Sequence, residues 1–374
     1  MKKCAILWIA LLLSCSFSFA QNFDIYVSDA GNFNNPPWKI LKFDHEGKNP
    51  STFINSQLNW PQDILFLEDS GTVLISNLGT NKITRHNAAT GAYINDFARL
   101  ISGPTRIKIG ADGLLYVLQW SGNGLVLQYR LDGSYVGNFT TVGVPQSIGM
   151  DWDSEGNLYV SSYQDDLVRK FDTVGRDLGI FINSNLAGPT NIWFDTNGDL
   201  LVVDYDGTAV KRFGSNGQYK GDFMTGLRRA EGVAIYPNGD ILIGNGASKS
   251  VKLYNSSGTY QRDMITASSG GLLTPNAVVL RERLSTSLEG PSSDLGVTMY
   301  PNPSEGSFML SLKQVPPQGV DLQILNTLGQ SIFESAIRQN NVQISLDRTP
   351  PGLYLLQVTA RESQKTKTLK MLVK

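Results

Sequence analysis

The stretch that decides the fold is PTNIWFDTNGDLLVVD, residues 189–204. It holds an apolar run after a proline, an Asn197-Gly198 turn, and a second apolar run at residues 200–203. Asn-Gly between two short apolar runs is a strong hairpin signal, and runs this short without a 3.6-residue period do not form buried helices. The stretch therefore predicts two antiparallel strands joined by a tight turn.

The same pattern recurs at intervals of 41 to 45 residues. The other copies open at Pro61, Pro104, Pro145, Ala230 and Pro275. Each hairpin is followed by a third and a fourth apolar segment around a second glycine, and these glycines are Gly47, Gly91, Gly133, Gly175, Gly217 and Gly258. Four short strands in each period of this length predict the blade of a β-propeller rather than a helical solenoid.

The two ends of the repeat region complement each other. The first copy begins at its second strand, Ile25–Val27, and the last copy holds only a first strand, Ala277–Leu280. Pairing of these two segments would complete one blade and leave no free sheet edge. The predicted fold is therefore all-β: a six-bladed β-propeller over residues 21–283, closed by its terminal strands, followed by a small Ig-like β-sandwich.

The repeat resembles the NHL-type six-bladed propeller family over most of residues 24–283. The resemblance implies the fold. The resemblance does not indicate one particular function, because such propellers include binding proteins, lyases and lactonases.

The N-terminus has the pattern of a secretory signal. Lys2 and Lys3 precede an apolar run at residues 5–13, and Ala20 ends a small-residue cleavage pattern. We predict a signal peptide over residues 1–20; the alternative is a lipoprotein acylation box ending at Cys15. Cleavage after Ala20 would leave a mature chain without cysteine, exported without disulfides and without a transmembrane segment.

The C-terminal part has a different composition. Residues 284–296 are rich in Ser, Gly and Pro and predict a linker. The motif YPNPSEGSF at residues 300–308, a turn at residues 326–329, PGLY at residues 351–354 and a lysine-rich end follow. Residues 297–374 thus resemble the C-terminal sorting domain of the type IX secretion system; the alternative is an ordinary Ig-like adhesive module. The resemblance implies the secretion machinery as a partner, and export through the periplasm to the outer cell surface or the medium.

The charge distribution excludes one class of partner. The whole chain has a net charge of −1, with about −6 in residues 21–296 and about +3 in the tail. A mildly acidic body without a basic stripe argues against nucleic acid.

Candidate site residues follow from the repeat register, because the starts of first strands and the ends of second strands share one face of a propeller. Three copies carry an aromatic residue directly after the second strand, and Trp38 and Trp60 could join them. Aromatic faces beside amides and carboxylates suit sugars; the alternative is that the rings only pack between blades. The predicted ligand-binding residues are Trp120, Tyr163, Tyr205, Arg106, Asp63, Asn191, Glu231 and Asn276.

The main functional prediction is a secreted or cell-surface propeller that binds an extracellular carbohydrate or protein at its central funnel, as a binding protein without a cofactor. The alternative is a lactonase or hydrolase that depends on a divalent cation. Fragments around Glu231 and Asn276 resemble the metal ligands of gluconolactonase-like propellers, and Asn191 and Asp204 could complete a calcium site.

Histidine-dependent lyase chemistry is not expected. The chain has two histidines, His45 and His86, both at the turn between third and fourth strands. We predict them to be solvated turn residues on the face opposite the funnel.

Overall fold

The computed structural model describes residues 23–283, 296–313, 315–326, 330–346, 349–362 and 366–373. The chain divides into two compact units, Met1–Glu282 and Arg283–Lys374. The predicted signal peptide with Cys4 and Cys15, residues 284–295 of the predicted linker and residues 327–329 of the predicted turn lie outside the described residues.

The described part of the first unit contains strands and four short 3-10 turns. The strands are β1 (Phe23–Asp29), β2 (Lys39–Phe43), β3 (Ser51–Ile54), β4 (Pro61–Leu67), β5 (Thr72–Asn77), β6 (Lys82–Asn87), β7 (Tyr93–Arg99), β8 (Pro104–Ile109), β9 (Leu115–Gln119), β10 (Leu127–Tyr129), β11 (Tyr135–Asn138), β12 (Ser147–Trp152), β13 (Leu158–Ser162), β14 (Leu167–Phe171), β15 (Asp177–Ile182), β16 (Pro189–Phe194), β17 (Leu200–Asp204), β18 (Ala209–Phe213), β19 (Tyr219–Thr225), β20 (Ala230–Ile235), β21 (Ile241–Asn245), β22 (Ser250–Tyr254), β23 (Tyr260–Ile265) and β24 (Pro275–Glu282). The 3-10 turns are Glu68–Ser70, Leu78–Thr80, Gly246–Ser248 and Ser269–Gly271.

These strands form four-stranded antiparallel sheets, which we number in chain order. Sheet 1 is β24-β1-β2-β3, sheet 2 is β4–β7, sheet 3 is β8–β11, sheet 4 is β12–β15, sheet 5 is β16–β19 and sheet 6 is β20–β23. The quoted stretch, residues 189–204, spans β16 and β17, with Ile192 opposite Val202. The second strands are buried over nearly their whole length, and β17 is buried throughout, whereas the fourth strands, such as β23, contain several exposed residues.

Sheet 1 is built from both ends of the repeat region. β1 pairs with β24 in antiparallel register, with Val27 opposite Val278 and Tyr26 opposite Val279. These side chains are buried. The inner edge of sheet 1 is therefore supplied by a segment some 250 residues later in the chain than its neighbour.

Hydrophobic clusters join each sheet to the next. Cluster residues from sheets 1 and 2, 2 and 3, 3 and 4, 4 and 5, and 5 and 6 pack together, and β24 and β1 pack with sheet 6. The first strands β4, β8, β12, β16, β20 and β24 contact one another in that order, and β24 also contacts β4. We call the place where the starts of these six strands approach one another the axis.

The repeated second glycine has a packing role. Gly217 in the β18–β19 turn has a φ of +77°, and a Cβ there would lie 2.3 Å from the backbone oxygen of Phe181 in sheet 4. The same approach recurs from each turn to the fourth strand of the sheet before it, or to the residue after that strand; a Cβ on Gly47 would clash with the backbone oxygen of Met264. Only glycine combines this backbone conformation with so close a contact, which explains why the residue recurs in every copy.

The second unit packs two sheets around one core. Its strands are β25 (Thr298–Tyr300), β26 (Ser307–Ser311), β27 (Val320–Leu325), β28 (Ser331–Ile337), β29 (Asn341–Ser345), β30 (Gly352–Ala360) and β31 (Thr366–Val373), in the sheets β25-β26-β29 and β28-β27-β30-β31. Buried residues alternate along β30, as expected for a strand with one face on a core. Phe308, Leu322 and Leu356 meet in that core. Within the described part of the whole chain, no helix is long and apolar enough to cross a membrane.

A disulfide tests the pairing of β1 with β24. In a chain with Cys4 and Cys15 replaced by serine, Val27→Cys with Val278→Cys should oxidise readily, because directly opposed strand residues lie about 4.5–5.5 Å apart at Cα. The cross-link should raise the free energy of unfolding by roughly 2–4 kcal/mol, measured by guanidinium titration with and without reductant.

The control is Val27→Cys with Val117→Cys, which places the second thiol on β9 of sheet 3. This pair should remain reduced. Free thiols in the Val27–Val278 variant would contradict the pairing.

Candidate functional site

A repeated backbone hydrogen bond holds the residue that follows the second strand of each sheet near the axis. The residue before the first strand accepts, at its carbonyl oxygen, the N–H of the residue that follows the second strand, and in sheets 2 to 6 it has a positive φ. The bonds run from Leu78 N to Trp60 O, Trp120 N to Gly103 O, Tyr163 N to Gln146 O, Tyr205 N to Gly188 O and Gly246 N to Arg229 O. In sheet 1, Ala30 N donates to Thr274 O. The residue after the second strand is large in sheets 2 to 5, whereas it is Gly246 in sheet 6 and Ala30 in sheet 1.

The large side chains line a cavity of about 230 Å³. Its lining residues are Phe33, Trp60, Gln62, Leu78, Trp120, Ile148, Tyr163, Thr190, Tyr205, Glu231 and Asn276. The ring centroids of Trp120 and Tyr163 are 5.6 Å apart, and those of Tyr163 and Tyr205 are 5.9 Å apart. The predicted aromatic residues thus contact one another across sheet boundaries and also face the cavity.

The loop between β1 and β2 closes one side of the cavity. Phe33 lies 5.2 Å from Trp60 between ring centroids. Trp38 does not line the cavity; its Nε1 donates to the backbone oxygen of Phe33 at 2.8 Å and so positions that residue. Phe33 is not among the predicted site residues, because its loop lies outside the repeat and only the length of the loop distinguishes it.

Gln62 is the centre of the polar floor. Its amide takes the orientation in which the oxygen accepts from Trp60 Nε1 at 2.7 Å and from Asn276 Nδ2 at 2.6 Å, while its nitrogen donates to Glu231 Oε1 at 3.1 Å. The hydrogen-bond network decides this assignment. In the opposite orientation the Gln62 oxygen would face the Glu231 oxygen, and its nitrogen would face the N–H groups of Trp60 and Asn276. Three sheets are thereby linked through one side chain.

Three predicted site residues lie behind this floor. Arg106, Asp63 and Asn191 are 4%, 7% and 7% exposed and are not among the lining residues. Arg106 Nη1 is 3.1 Å from Asp63 Oδ1 in sheet 2, and its Nη2 is 3.5 Å from Glu231 Oε1 in sheet 6. Arg106 itself belongs to sheet 3, so its guanidinium spans the axis.

Glu231 is the one carboxyl group in the cavity lining. Burial raises the pKa of Glu231 to about 8; Arg106 acts in the opposite direction, and Asp63 reinforces the rise. A carboxyl group with this pKa carries its proton at neutral pH, which makes it a hydrogen-bond donor in a largely apolar cavity.

The residues that end the second strands are not among the residues that line the cavity. Asp29, Asn77, Gln119, Asp204 and Asn245 each accept a hydrogen bond from a backbone N–H of the segment before the first strand of their sheet. Ser162 instead donates to the oxygen of Pro145. The residues at this position therefore hold in place the segments that precede the first strands, which we call the mouth segments.

The predicted cation site is not assembled by these residues. Asp204 caps Ala187 N at 2.5 Å and pairs with Lys211 Nζ at 2.7 Å, and the amide of Asn191 donates to the backbone oxygen of Glu231. Glu231 itself faces the Arg106 guanidinium. Among the described residues, no group of three or more His, Cys, Asp or Glu side chains is placed to share a metal ion. The donor set present does not fit calcium, which takes six to eight oxygen ligands.

The prediction for one histidine was wrong. His45 is an exposed turn residue, as expected, but His86 on β6 is fully buried. Its Nδ1 lies 3.1 Å from Gly91 O and its Nε2 3.0 Å from Thr84 Oγ1, and burial lowers its pKa. His86 therefore packs within sheet 2, where its ring also meets that of Tyr93 with the ring centroids 5.7 Å apart.

A larger depression lies away from the axis. It measures about 670 Å³ and is lined by residues of sheets 2 and 3, including Phe97, Leu127 and Tyr135. Leu100 at its edge is 95% exposed. The axial cavity is the better candidate site, since it joins convergent polar groups to a carboxyl group of perturbed pKa.

Comparison with known proteins identifies the C-terminal part. Residues 298–374 match the family described as the secretion system C-terminal sorting domain. The chain therefore carries a type IX sorting tail, which directs export to the cell surface or the medium.

Two curated relatives match over short stretches. They are ulvan lyase NLR42 of Nonlabens ulvanivorans, 32% identical over 82 residues, and an endo-acting ulvan lyase of Formosa agariphila, 34% identical over 70 residues. These stretches are 21% and 18% of this chain, and 15% and 13% of the relatives. The chain thus spans a small part of the relatives it matches.

Solved structures resemble the chain in fold. A nidogen/laminin complex chain has a TM-score of 0.57 at 14% identity, over 69% of this chain and 98% of that chain. A protein of unknown function from Bacteroides caccae has a TM-score of 0.57 at 16% identity, over 70% and 99%. A putative gluconolactonase has a TM-score of 0.50 at 14% identity, over 68% and 86%. The likeness supports a propeller-like fold and does not extend to function.

Arg106→Met should destabilise the first unit by about 3–5 kcal/mol, because it removes the cation between two buried carboxyl groups. The measurement is urea unfolding at pH 7 against wild type. Lys48→Met is the control, since it breaks only the exposed pair with Glu46 and should cost less than about 1 kcal/mol. An equal, small effect of both variants would contradict a buried Arg106 network.

Glu231→Gln should flatten the pH dependence of stability. The pKa of Glu231 is raised from 4.5 to about 8, so the folded state binds a proton that the unfolded state has lost. The free energy of unfolding from this group is therefore largest below pH 4.5 and falls as the pH rises to about 8. The wild-type minus variant difference in urea unfolding, measured between pH 5 and 9, should decline with pH; a constant difference would contradict the raised pKa.

Proposed function

We propose that residues 21–283 form a closed six-bladed propeller of the NHL type that binds a carbohydrate outside the cell in its axial cavity. A signal peptide over residues 1–20 and the sorting domain over residues 297–374 deliver it through the type IX secretion machinery. The role is binding rather than catalysis, and a protein ligand is the competing outcome of the experiment below.

The observation that carries the proposal is the composition of the cavity. Aromatic faces of Trp60, Trp120, Tyr163 and Tyr205 surround a floor whose polar groups belong to Gln62, Glu231, Thr190 and Asn276. Sugars present C–H faces that stack on aromatic rings and hydroxyl groups that hydrogen-bond to amides and carboxyl groups.

The size of the cavity favours a small ligand group. A volume of about 230 Å³ lies below the 300–1,000 Å³ typical of sites for drug-sized ligands. It accommodates one sugar ring at the end or side of a longer chain. A folded protein partner would contact the rim and leave this polar floor without a partner.

Neighbouring residues hold the aromatic rings in place. Tyr163 Oη donates to Asp206 Oδ2 at 2.9 Å, and Gly188 leaves room for the Tyr163 ring, since a Cβ there would lie 2.7 Å from ring atom Cε2. A ring held in advance loses little conformational entropy on binding.

Trp120→Ala should weaken glycan binding about tenfold, because it removes one stacking face, while the protein stays folded. Binding of the secreted protein to a glycan array and to immobilised envelope polysaccharide measures the effect. Tyr260→Ala is the control, since it truncates an exposed aromatic residue on β23 of sheet 6. Unchanged glycan binding by the Trp120 variant, or binding to protein alone, would contradict the proposal.

A further inference from the structure

The axial cavity is surrounded by aromatic rings that do not cover one another. Five half-buried aromatic side chains line it, namely Phe33, Trp60, Trp120, Tyr163 and Tyr205. The interplanar angles are 58° for Phe33 and Trp60, 41° for Trp120 and Tyr163, and 76° for Tyr163 and Tyr205. None of these pairs is stacked in parallel, so parts of the ring faces stay available to a ligand. A ring face carries partial negative charge and attracts a cation within about 6 Å of its centroid.

The polar groups of the floor are largely bonded to one another. The Gln62 amide bonds to three neighbours, Trp60, Asn276 and Glu231. The Thr190 hydroxyl donates to a backbone oxygen of the neighbouring sheet at 3.2 Å. These bonds occupy much of the hydrogen-bonding capacity of the floor, which limits what the hydroxyl groups of a sugar gain there. The selective contact is therefore left to the aromatic rings and the Glu231 carboxyl group.

Carboxyl groups outnumber basic groups below the cavity. Arg106 Nη1 is 3.1 Å from Asp63 Oδ1, and Arg106 Nη2 is 3.5 Å from Glu231 Oε1. Two carboxyl groups thus share one guanidinium, and the closer of them is Asp63. Among the described residues that line the cavity there is neither Lys nor Arg. If Glu231 is ionised, one negative charge at the floor has no cation of its own.

The same excess of acidic groups is found at the mouth, beside one of the aromatic rings. Tyr163 Oη donates to Asp206 Oδ2 at 2.9 Å. The charges of Asp166 and Arg229 also act on the Tyr163 phenol. Two carboxylates therefore face one guanidinium here as well. Both ends of the aromatic lining consequently favour a positively charged ligand over a negatively charged one.

We propose that the sugar bound in the axial cavity carries a positively charged amino group, which lies against the aromatic rings and pairs with the Glu231 carboxylate. The inference rests on the proposed carbohydrate function and defines its ligand class as sugars with a free amine. An ammonium group is attracted by the ring faces and by the carboxylate together, whereas a hydroxyl or acetamido group at the same place lacks both attractions. Carboxylated and sulfated sugars are repelled by the uncompensated carboxylate.

Binding of the ammonium group should release a proton from Glu231. Burial raises the pKa of Glu231 to about 8, Arg106 acts against this rise, and Asp63 adds to it. The other titratable group that acts on Glu231 is the phenol of Tyr205, which follows β17. At pH 6.5 the free protein therefore holds Glu231 as the neutral acid. The bound cation favours the carboxylate, so the proton passes to the buffer as the ion pair forms.

The experiment uses the full chain on a glycan array in which each backbone carries a hydroxyl, an acetamido or a free amino group at one position. At pH 6.5 the amino forms should bind at least about tenfold more tightly than the other two forms. Glu231→Gln should reduce this preference to less than about threefold, because it keeps the size of the side chain and removes its charge. Glu46→Gln is the matched control, since it makes the same change at an exposed turn between β2 and β3 and should keep the preference.

Calorimetry of the wild-type protein adds a measurement that needs no variant. Titration with an amino-sugar oligosaccharide at pH 6.5, in two buffers of different ionisation enthalpy, gives the number of protons released on binding. About one proton per bound ligand is expected, because Glu231 changes from acid to carboxylate. The acetamido form of the same oligosaccharide should release none. A purely structural role of Glu231 would produce no such difference between the two ligands.

The results distinguish failure of this inference from failure of the proposed function. Equal or tighter binding of the hydroxyl or acetamido forms, a preference unchanged by Glu231→Gln, or absence of proton release would overturn the inference and leave carbohydrate binding intact. Absence of binding to every glycan by protein with normal urea unfolding, or binding to lysine-rich peptides alone, would overturn both. If Glu231→Gln does not fold, the array preference and the proton release of the wild type decide together.

Discussion

The pairing of β1 with β24 is the constraint on which the axial site depends. The cavity takes residues from the mouth segments of all the sheets in turn, so it exists only where their first strands meet around one axis. Val27 opposite Val278 brings the two ends of the repeat region together, and β24 then contacts both β20 and β4. Asn276 reaches the floor because this strand, from the end of the repeat region, lies beside the beginning of it.

In the first unit, close packing between sheets and polar contacts at the axis have different roles. Close approach of glycines such as Gly217 to the neighbouring backbone and apolar clusters between sheets fix the spacing of the strands. At the axis the arrangement is polar: Arg106 lies between two carboxyl groups, and Gln62 joins Trp60, Glu231 and Asn276. Buried polar networks are stable when their members are satisfied, and the single Gln62 amide bonds to all three of these neighbours.

Much of the fold followed from local pattern. The strands of residues 189–204 and the segments at Ile25–Val27 and Ala277–Leu280 lie where the repeat predicts them, because alternation of apolar runs with Gly turns is a local property of the chain. The site was predicted less completely. Trp120, Tyr163 and Tyr205 share the cavity with Glu231, but Asp63, Arg106 and Asn191 lie behind it, since a shift of one residue along a strand turns a side chain to the other face.

The sequence by itself determined the all-β class, the period, the sorting tail and the residues available at the mouth, since each is written in neighbouring residues. Only the tertiary structure decided which of those residues meet. Phe33 lies in a loop that carries no repeat signal, yet it lines the cavity. His86 is buried, although no sequence motif predicts its burial. Asp204 bonds to Ala187 and Lys211 and does not line the cavity. The pKa of Glu231 depends on its burial and on charged side chains that are distant in the sequence but close in space.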